Sequence, residues 1–273
     1  MRWLLFMLVA CDGAAALPDA NPDDLDGDGI LNAADNCPHR GNVDQHDEDA
    51  DLIGDACDNC PTIANADQRD TTEANARDQF PDGVGDACDL RPGLGGDQIA
   101  RMFTFAEEGQ ASAWTGGGWM ISGDAAQMSG DAQWQTRVNQ RGDGQILVAE
   151  VASLSGAGQL TISIDGNGVE SGSACTLSGT ELIAHDLANG GSTSVAISLT
   201  SDPLTLVAWR SVTGTITRVA TVTCRVTQGG MTQSAAQQLS DDTILGNQAI
   251  VGMNVIASVR SLIVYTSPGP KTP

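Results

Sequence analysis

Acidic residues recur at every second position near the start of this 273-residue chain. Asp24, Asp26 and Asp28 fall at positions 1, 3 and 5 of a twelve-residue loop, with Gly29 at position 6. Oxygen atoms at positions 7, 9 and 12 come from the Ile30 carbonyl, Asn32 and Asp35. Alternating carboxylates, a glycine for a sharp turn, a main-chain carbonyl and a closing acid are the ligand pattern of a calcium loop. The spacing therefore predicts a Ca²⁺ site.

The same spacing returns twice further along the chain. The second loop has Leu52 at the glycine position, and its predicted ligands are Asp47, Asp49, Asp51, the Ile53 carbonyl, Asp55 and Asp58. The third loop is incomplete: Asp82, the Val84 carbonyl, Asp86 and Asp89 fit positions 5, 7, 9 and 12, whereas Phe80 falls at position 3. About eight residues are inserted within Thr71–Pro81. Spacing does not decide whether Asp70 or Glu73 completes this third set.

Two short motifs accompany the acidic loops. CPxxxNxxQ occurs at Cys37–Gln45 and Cys60–Gln68, and GDACD occurs at Gly54–Asp58 and Gly85–Asp89. With these motifs in this order, residues 24–89 resemble the thrombospondin type 3 repeat. The resemblance implies an irregular segment wrapped around calcium ions, with disulfides Cys37–Cys57 and Cys60–Cys88. An EF-hand is a poorer match, because no amphipathic helices flank the loops and the closing acid is Asp rather than Glu.

Composition alone favours a different interpretation of this segment, a solvated acidic linker. Between residues 23 and 89 only nine residues are Leu, Ile, Val or Phe, about 13%, which is typical of disorder. The register of the acids and cysteines argues for order instead. Because the carboxylates repel one another until a cation lies among them, we expect folding and calcium binding to be a single event here.

The net charge of -22 is unevenly distributed along the chain. Residues 12–97 hold 22 acids and four arginines, a net -18, while residues 98–273 hold 13 acids and eight bases, a net -5; Arg2 adds +1. This acidity argues against nucleic acid or an anionic membrane surface as a partner. It suits a segment whose charge is neutralised by divalent cations.

The first ten residues, MRWLLFMLVA, contain one basic residue followed by eight apolar ones. That run is too short to cross a bilayer and is typical of an export signal. Leu8–Cys11 resembles a bacterial lipobox, which implies cleavage before Cys11, its acylation, and a lipid anchor in the cell envelope. An ordinary signal peptide that ends near a cysteine is the alternative. Residues 11–23 form a small-residue, proline-punctuated tether.

From residue 98 the composition changes to Thr, Ser, Val, Ile and Gly, after a glycine-rich hinge at residues 90–97. Short apolar runs alternate with turn residues, and the predicted strands include Ile146–Val151, Thr205–Trp209, Ala249–Met253 and Ser258–Tyr265. Residues 98–267 are therefore predicted to form an antiparallel β-sandwich, with a tail at 268–273. The segment Gln233–Leu239 is left as a helical turn or a polar loop. The order of features resembles concanavalin-type jelly rolls. Cys175 and Cys224 lie near strands of an exported domain and are expected to form a disulfide.

Catalytic residues are not evident in this second half. Glycosidases on such sandwiches need two facing carboxylates, whereas Glu150 and Glu181 each stand alone in sequence. Three scattered histidines form neither a zinc motif nor a Ser-His-Asp set. Trp114 and Trp119 can be core residues or a sugar-stacking surface, and the core is favoured. We therefore expect a protein that is not an enzyme.

These observations predict an exported, lipid-anchored surface protein that uses Ca²⁺ structurally and acts in adhesion or extracellular recognition through its sandwich. The ligand would be a glycan or an extracellular protein. One alternative is a carbohydrate-binding module, and another is an envelope spacer without a diffusible ligand.

The lipobox hypothesis predicts that Cys11→Ser blocks lipid incorporation and either releases the protein or leaves an uncleaved precursor. Labelling with a radioactive fatty acid measures the effect. Equal labelling of Cys11→Ser and the natural chain would contradict acylation at this residue.

Overall fold

The structure is a computed structural model. It describes residues 21–71, 81–89, 91, 95–106, 108–138, 144–166, 169–214, 217–240 and 246–267. The predicted leader, Cys11, most of the tether and the tail lie outside these ranges. In the described chain, residues 21–89 consist of turns and bends, and residues 98–267 are mainly strands.

Within the described residues, twelve strands and one short 3₁₀ helix follow one another. In chain order they are β1 (Gln98–Phe103), the 3₁₀ helix (Glu108–Ala113), β2 (Thr115–Ile121), β3 (Ala126–Arg137), β4 (Gly144–Ser155), β5 (Gln159–Ile164), β6 (Ser173–Ser178), β7 (Glu181–Asp186), β8 (Gly191–Ala196), β9 (Leu204–Thr213), β10 (Val219–Gln228), β11 (Met231–Gln238) and β12 (Asn247–Ser267).

The 21-residue strand β12 joins two antiparallel layers. Its first part pairs with β3 and β5, and its last part pairs with β4 and β1. One layer therefore runs β2-β3-β12-β5-β6-β7-β8, and the other runs β1-β12-β4-β9-β10-β11. The strand changes register with β3 between Gly252 and Val255, where Asn254 has φ of 49°. A Cβ at Gly252 would lie 1.9 Å from the Met128 sulfur, so a larger residue here would require the buried Met128 side chain to move.

The space between the layers holds the main core, and one end of it is aromatic. Trp114 and Trp134 stack with ring centroids 5.7 Å apart, and Phe103 lies 4.6 Å from Trp114. Trp119 also packs against Trp134, and all three tryptophans are buried. These side chains fill the sandwich as the sequence favoured, so they do not offer a surface for stacking on sugars.

The outer face of the second layer is also apolar and buried. On β4 the side chains of Leu147 and Ala149 belong to the main core, so the alternate residues Ile146 and Val148 point outward. Those outward residues form a second cluster with neighbours on β9 and β12 and with three residues of the repeat segment; its buried members are Cys60, Val84, Cys88, Ile146, Val148, Val207, Ile263 and Tyr265. The repeats therefore cover one sheet of the sandwich.

Three disulfides hold these parts together. Cys37–Cys57 and Cys60–Cys88 link successive repeats, with Cα atoms 5.7 and 5.5 Å apart, as the family resemblance implied. Cys175 on β6 and Cys224 on β10 join the two layers across the core, with Cα atoms 5.4 Å apart. The expected pairing of all six cysteines is confirmed.

The described residues of the predicted hinge are tied to the third acidic loop. Arg91 forms an ion pair with Asp97, whose side chain is buried. The Asp97 N–H donates to Asp82 Oδ2 at 2.7 Å. These contacts fix the start of β1 against the repeats.

The antiparallel sandwich is confirmed, with two corrections in its details. The helical-turn or polar-loop interpretation of Gln233–Leu239 is wrong, because this segment forms most of β11 and pairs with β10 along its length. Ala235 is the only buried residue of β11, since β11 is an edge strand with one face in solvent. The two strands predicted at Ala249–Met253 and Ser258–Tyr265 are one continuous β12.

Across the part of the chain that is described, no helix has the length and apolar character needed to span a bilayer.

The shared cluster predicts energetic coupling between the repeats and the sandwich. We expect Ile263→Ala to lower the free energy of unfolding by about 2–5 kcal/mol and Val84→Ala by less, because both side chains are buried in this cluster. The double variant should depart from additivity by about 0.5 kcal/mol or more. Denaturant unfolding of the four proteins measures the coupling.

The matched control pairs Val84→Ala with Val222→Ala, which removes the same methyl groups from the main core. These two effects should add. Additivity in both cycles would contradict a cluster shared by the two modules.

Candidate metal centre

The first two acidic loops each bring three carboxylates together. Oxygen atoms from positions 1, 3 and 5 lie within 4.8 Å of one another in each loop; the residues are Asp24, Asp26 and Asp28 in the first, and Asp47, Asp49 and Asp51 in the second. Carboxylates converge in this way when backbone turns direct alternate side chains to one point. The predicted spacing thus produces two similar clusters.

Backbone N–H groups hold these carboxylates in place. In the second loop the Leu52 N–H donates to Asp47 Oδ2 at 2.9 Å, and the Ile53 N–H donates to Asp51 Oδ1 at 2.9 Å. The first loop makes the equivalent bonds from Gly29 and Ile30. Each N–H bond stabilises the charged form of its carboxylate and fixes its direction.

Leu52 adopts the backbone conformation of the glycine that it replaces. Its φ is 80°, whereas Gly29 has 95° and Gly83 has 94°. A leucine in this left-handed region is strained, and its side chain is 80% exposed rather than packed. The departure from the motif therefore costs stability but leaves the loop geometry intact.

The CPxxxNxxQ motif supports the closing acid of each loop. Asp35 Oδ1 accepts hydrogen bonds from the Cys37 N–H and from Gln45 Nε2, both at 2.8 Å. Asp58 is held in the same way by Cys60 and Gln68. The Gln side chain thus holds the closing acid of each loop in place. Its repetition was visible in the sequence, but this role was not.

The Asn of the same motif binds the position-5 acid. The Asn42 N–H donates to Asp28 Oδ2, and the Asn65 N–H donates to Asp51 Oδ2, each at 2.7 Å. Asn42 Nδ2 also donates to Asn36 Oδ1 at 2.7 Å. A Cβ at Gly54 would lie 2.3 Å from that Asn36 oxygen, so the glycine of GDACD makes room for the amide.

One oxygen of several loop acids remains without a hydrogen-bond partner although it is buried. These atoms occupy positions 3 and 12 of the first loop and positions 1, 3 and 12 of the second: Asp26 Oδ2, Asp35 Oδ2, Asp47 Oδ1, Asp49 Oδ2 and Asp58 Oδ2. Unpartnered buried carboxylate oxygens are costly unless a cation satisfies them. Their placement fits a hard cation with oxygen ligands.

The second cluster shows the electrostatic cost of this crowding. Burial, together with the nearby carboxylates of Asp51 and Asp58, raises the pKa of Asp49 to about 6. Burial also raises the pKa of Asp58. An adjacent cation would reverse this effect by favouring the ionised forms.

The predicted ligands at position 9 make a different contact. Asn32 Oδ1 accepts from the Leu25 N–H at 3.0 Å, and Asp55 Oδ1 accepts from the Glu48 N–H at 3.0 Å. Each side chain therefore closes its loop by binding the N–H of position 2. Direct metal coordination by position 9, and by the carbonyls of Ile30, Ile53 and Val84, stays a prediction.

The third loop is completed by Asp70. The Gly83 N–H donates to Asp70 Oδ2 at 2.9 Å, the same bond that position 6 makes to position 1 in the other loops. Thr71, the next residue, donates its N–H to Asp86 Oδ1 at 2.7 Å, which matches the position-2 to position-9 contact. Asp70 therefore stands at position 1 and the insertion follows Thr71. Glu73 lies outside the described residues.

With this geometry established, the first two loops can be compared with known families. Residues 19–45 and 45–68 match the thrombospondin type 3 repeat model. The match spans two successive repeats and ends before the third loop. No curated protein sequence matches the chain.

Comparison of the fold finds solved structures of low identity. A Bacillus subtilis protein of unknown function with a galectin-like fold has 11% identity and a TM-score of 0.41, covering 63% of this chain and 97% of that one. The catalytic domain of an endo-1,3-beta-glucanase (laminarinase) from Thermotoga petrophila has 12% identity and a TM-score of 0.40, with 63% and 98% covered. An alginate lyase from Aplysia kurodai has 11% identity and a TM-score of 0.40, with 62% and 90% covered. These similarities concern the fold and give no information about activity.

The two acids considered for catalysis are placed differently. Glu150 on β4 is largely buried and accepts a hydrogen bond from Thr205 Oγ1 at 2.9 Å, whereas Glu181 is exposed and accepts one from Ser194 Oγ at 2.8 Å. Burial raises the pKa of Glu150 to about 7, with Thr205 opposing the shift. Glu48 of the repeats adds to the rise and Arg260 opposes it. Glu150 thus belongs to the contact between repeats and sandwich.

Glu150 predicts a pH dependence of stability. Its folded pKa lies above the ordinary value of 4.5, so its stabilising contribution is complete below that pH and is lost as the pH rises through 7. Relative to the natural chain, Glu150→Gln should change stability little at pH 4 and raise the free energy of unfolding by about 3 kcal/mol at most at pH 8. Denaturant unfolding at several pH values measures the difference.

Glu181→Gln is the matched control for the substitution itself, because Glu181 is an exposed acid on β7 of the same sandwich. A Glu150→Gln effect that does not vary between pH 4 and pH 8 would contradict the raised pKa.

Proposed function

We propose that this chain is a calcium-binding extracellular recognition protein, in which the ions shape the repeats and the β-sandwich carries the binding surface. The observation that carries the proposal is the set of buried, unpartnered carboxylate oxygens at equivalent positions of two loops. The match of residues 19–45 and 45–68 to the thrombospondin type 3 repeat supports calcium as the ion.

The chemistry of the donor set favours calcium over other metals. The converging ligands are carboxylates, with amide and carbonyl oxygens nearby, which suits a hard cation. The six cysteines of the described chain are bound in disulfides and so offer no thiolate for zinc or copper. Mg²⁺ requires near-ideal octahedral geometry and retains waters, whereas Ca²⁺ accepts irregular sets of this kind.

Calcium would act structurally in this protein. The repeats contain few apolar residues, so neutralising their carboxylates is the main way to offset the entropy of ordering them. Cys60, Val84 and Cys88, which cover the sandwich, lie in and beside the second and third loops. An ion in these loops therefore supports the covered sheet as well.

The location of the protein follows from the leader rather than from the fold. An export signal with a lipobox-like end would place the chain in the bacterial cell envelope, attached through acylated Cys11. The three disulfides suit an oxidising compartment. In this setting the sandwich would act in adhesion or recognition; an envelope spacer without a diffusible ligand is the alternative.

Native mass spectrometry of the purified protein tests calcium binding. We expect at least two Ca²⁺ ions per chain, removed by a chelator. Asp26→Asn and Asp49→Asn should each lose one ion, because each removes a position-3 carboxylate with an unpartnered oxygen. The control is Asp67→Asn, which changes an exposed acid between the second and third loops and should retain every ion.

Two results would refute the proposal. One is a chain that takes up no Ca²⁺ at millimolar concentration. The other is equal ion counts in Asp49→Asn and Asp67→Asn.

A further inference from the structure

A pocket of about 360 Å³ lies at the end of the sandwich where β1, β2, β3 and β12 meet. We call it the arginine pocket, and its polar lining consists of Arg101, Thr115, Gln135, Thr136, Arg137 and Asn247. Ala113 completes the wall. Its volume falls in the range of pockets that hold small ligands.

The charge of this pocket is opposite to that of the chain. Two of the eight bases in residues 98–273 line it, and none of its described lining residues is acidic. Among the described residues, Arg69, Arg91 and Arg210 pair with aspartates, whereas Arg101 and Arg137 form no ion pair. Two guanidinium groups that form no ion pair with any described residue, in a chain of net charge -22, mark a local site for an anion.

The lining residues are carried by paired strands. The Arg101 guanidinium carbon lies 5.2 Å from the ring centroid of Phe103, which is buried in the aromatic core. Arg137, the last residue of β3, pairs with Asn247 at the start of β12. Thr115 pairs with Gln135. Strand pairing therefore positions the polar groups before any ligand arrives, which limits the entropy lost on binding.

The donors present suit an anionic sugar. Guanidinium groups bind carboxylate or sulfate oxygens bidentately. The side-chain amides of Gln135 and Asn247 each offer a donor and an acceptor, as sugar hydroxyls require. The described lining of the pocket contains none of the large apolar and aromatic anchors that dominate protein-protein contacts. We propose that the arginine pocket binds a carboxylated or sulfated sugar residue, which deepens and rests on the recognition role proposed above.

A larger groove adjoins the pocket and extends the same surface. It has a volume of about 910 Å³ and runs between β1 and the repeats, with Arg101 lining both hollows. Arg40, Gln110 and four aspartates of the repeats also line it; the aspartates are Asp44, Asp55, Asp58 and Asp82. Because these carboxylates repel an anionic group, the charged group of the sugar is assigned to the arginine pocket and not to the groove.

Isothermal titration calorimetry of the calcium-loaded protein tests the inference at low ionic strength. The probes are a hyaluronan oligosaccharide, which is carboxylated, a dextran sulfate oligosaccharide, and neutral dextran of similar size. We expect one or both anionic sugars to bind and neutral dextran not to bind. The stronger of the two anionic sugars identifies the preferred group. Arg101→Gln and Arg137→Gln should each weaken binding at least tenfold.

Arg225→Gln supplies the control for charge, because Arg225 lies on β10 and lines neither hollow. Its affinity should remain within about twofold of the natural chain. Arg101→Lys keeps the charge but not the bidentate geometry, so it should retain part of the affinity. Retained binding in this variant also shows that substitution at position 101 leaves the fold intact.

Three outcomes would overturn the inference: no binding of either anionic sugar, equal loss in Arg225→Gln and Arg101→Gln, or an acidic polyglutamate peptide that binds with the same dependence on Arg101 and Arg137. Native mass spectrometry on the same samples separates the two proposals. Bound Ca²⁺ without sugar binding refutes the arginine pocket alone, whereas a chain without Ca²⁺ refutes the calcium role.

Discussion

Mutual repulsion among closely spaced carboxylates is the constraint on which the repeat segment depends. Acids at positions 1, 3 and 5 converge within 4.8 Å, in a segment with too few apolar residues to impose that shape by packing. Backbone N–H groups and the Gln of CPxxxNxxQ stabilise one oxygen of each acid, and the remaining oxygens point to a shared cation. The same hydrogen-bond pattern recurs in the second loop, where Leu52 replaces glycine, and in the third loop, where Asp70 precedes an insertion. The acids of the three loops thus have similar hydrogen bonds although the loop sequences differ.

The sandwich in turn depends on the repeats for one of its faces. Ile146, Val148, Ile263 and Tyr265 point away from the main core, and an uncovered patch of this kind would be a site of association. The repeats cover it with the Cys60–Cys88 disulfide and Val84, which are among the few apolar groups that they possess. The repeat segment, which has few apolar residues of its own, therefore forms an apolar cluster together with the sandwich. The Cys60–Cys88 disulfide packs on this sheet directly, and a cation bound in the loops would support it indirectly.

Local patterns in the sequence were sufficient to predict the acidic loops and the antiparallel sandwich, and the family resemblance supplied the two disulfides of the repeats. Ligand spacing, cysteine order and strand alternation are each set by neighbouring residues. Spacing did not predict the position-9 contacts and did not decide between Asp70 and Glu73 in the third loop. The covered sheet was not predicted because it depends on which distant segments meet. A signal for two-sided burial was present: Ile146–Val151 and Ser261–Thr266 are nearly continuous apolar runs rather than alternating ones. The arginine pocket had no such signal, since Arg101, Arg137 and Asn247 are brought together by strand pairing alone.

The third loop links the two proposed sites through the backbone. Asp82, at position 5 of that loop, accepts the N–H of Asp97, and β1 begins at the next residue. Four residues beyond Asp97, Arg101 stands between the groove and the arginine pocket. A cation that fixes Asp82 therefore also fixes the start of β1, because the same carboxylate would serve both. Bound calcium would in this way help to position Arg101 without contacting the arginine pocket.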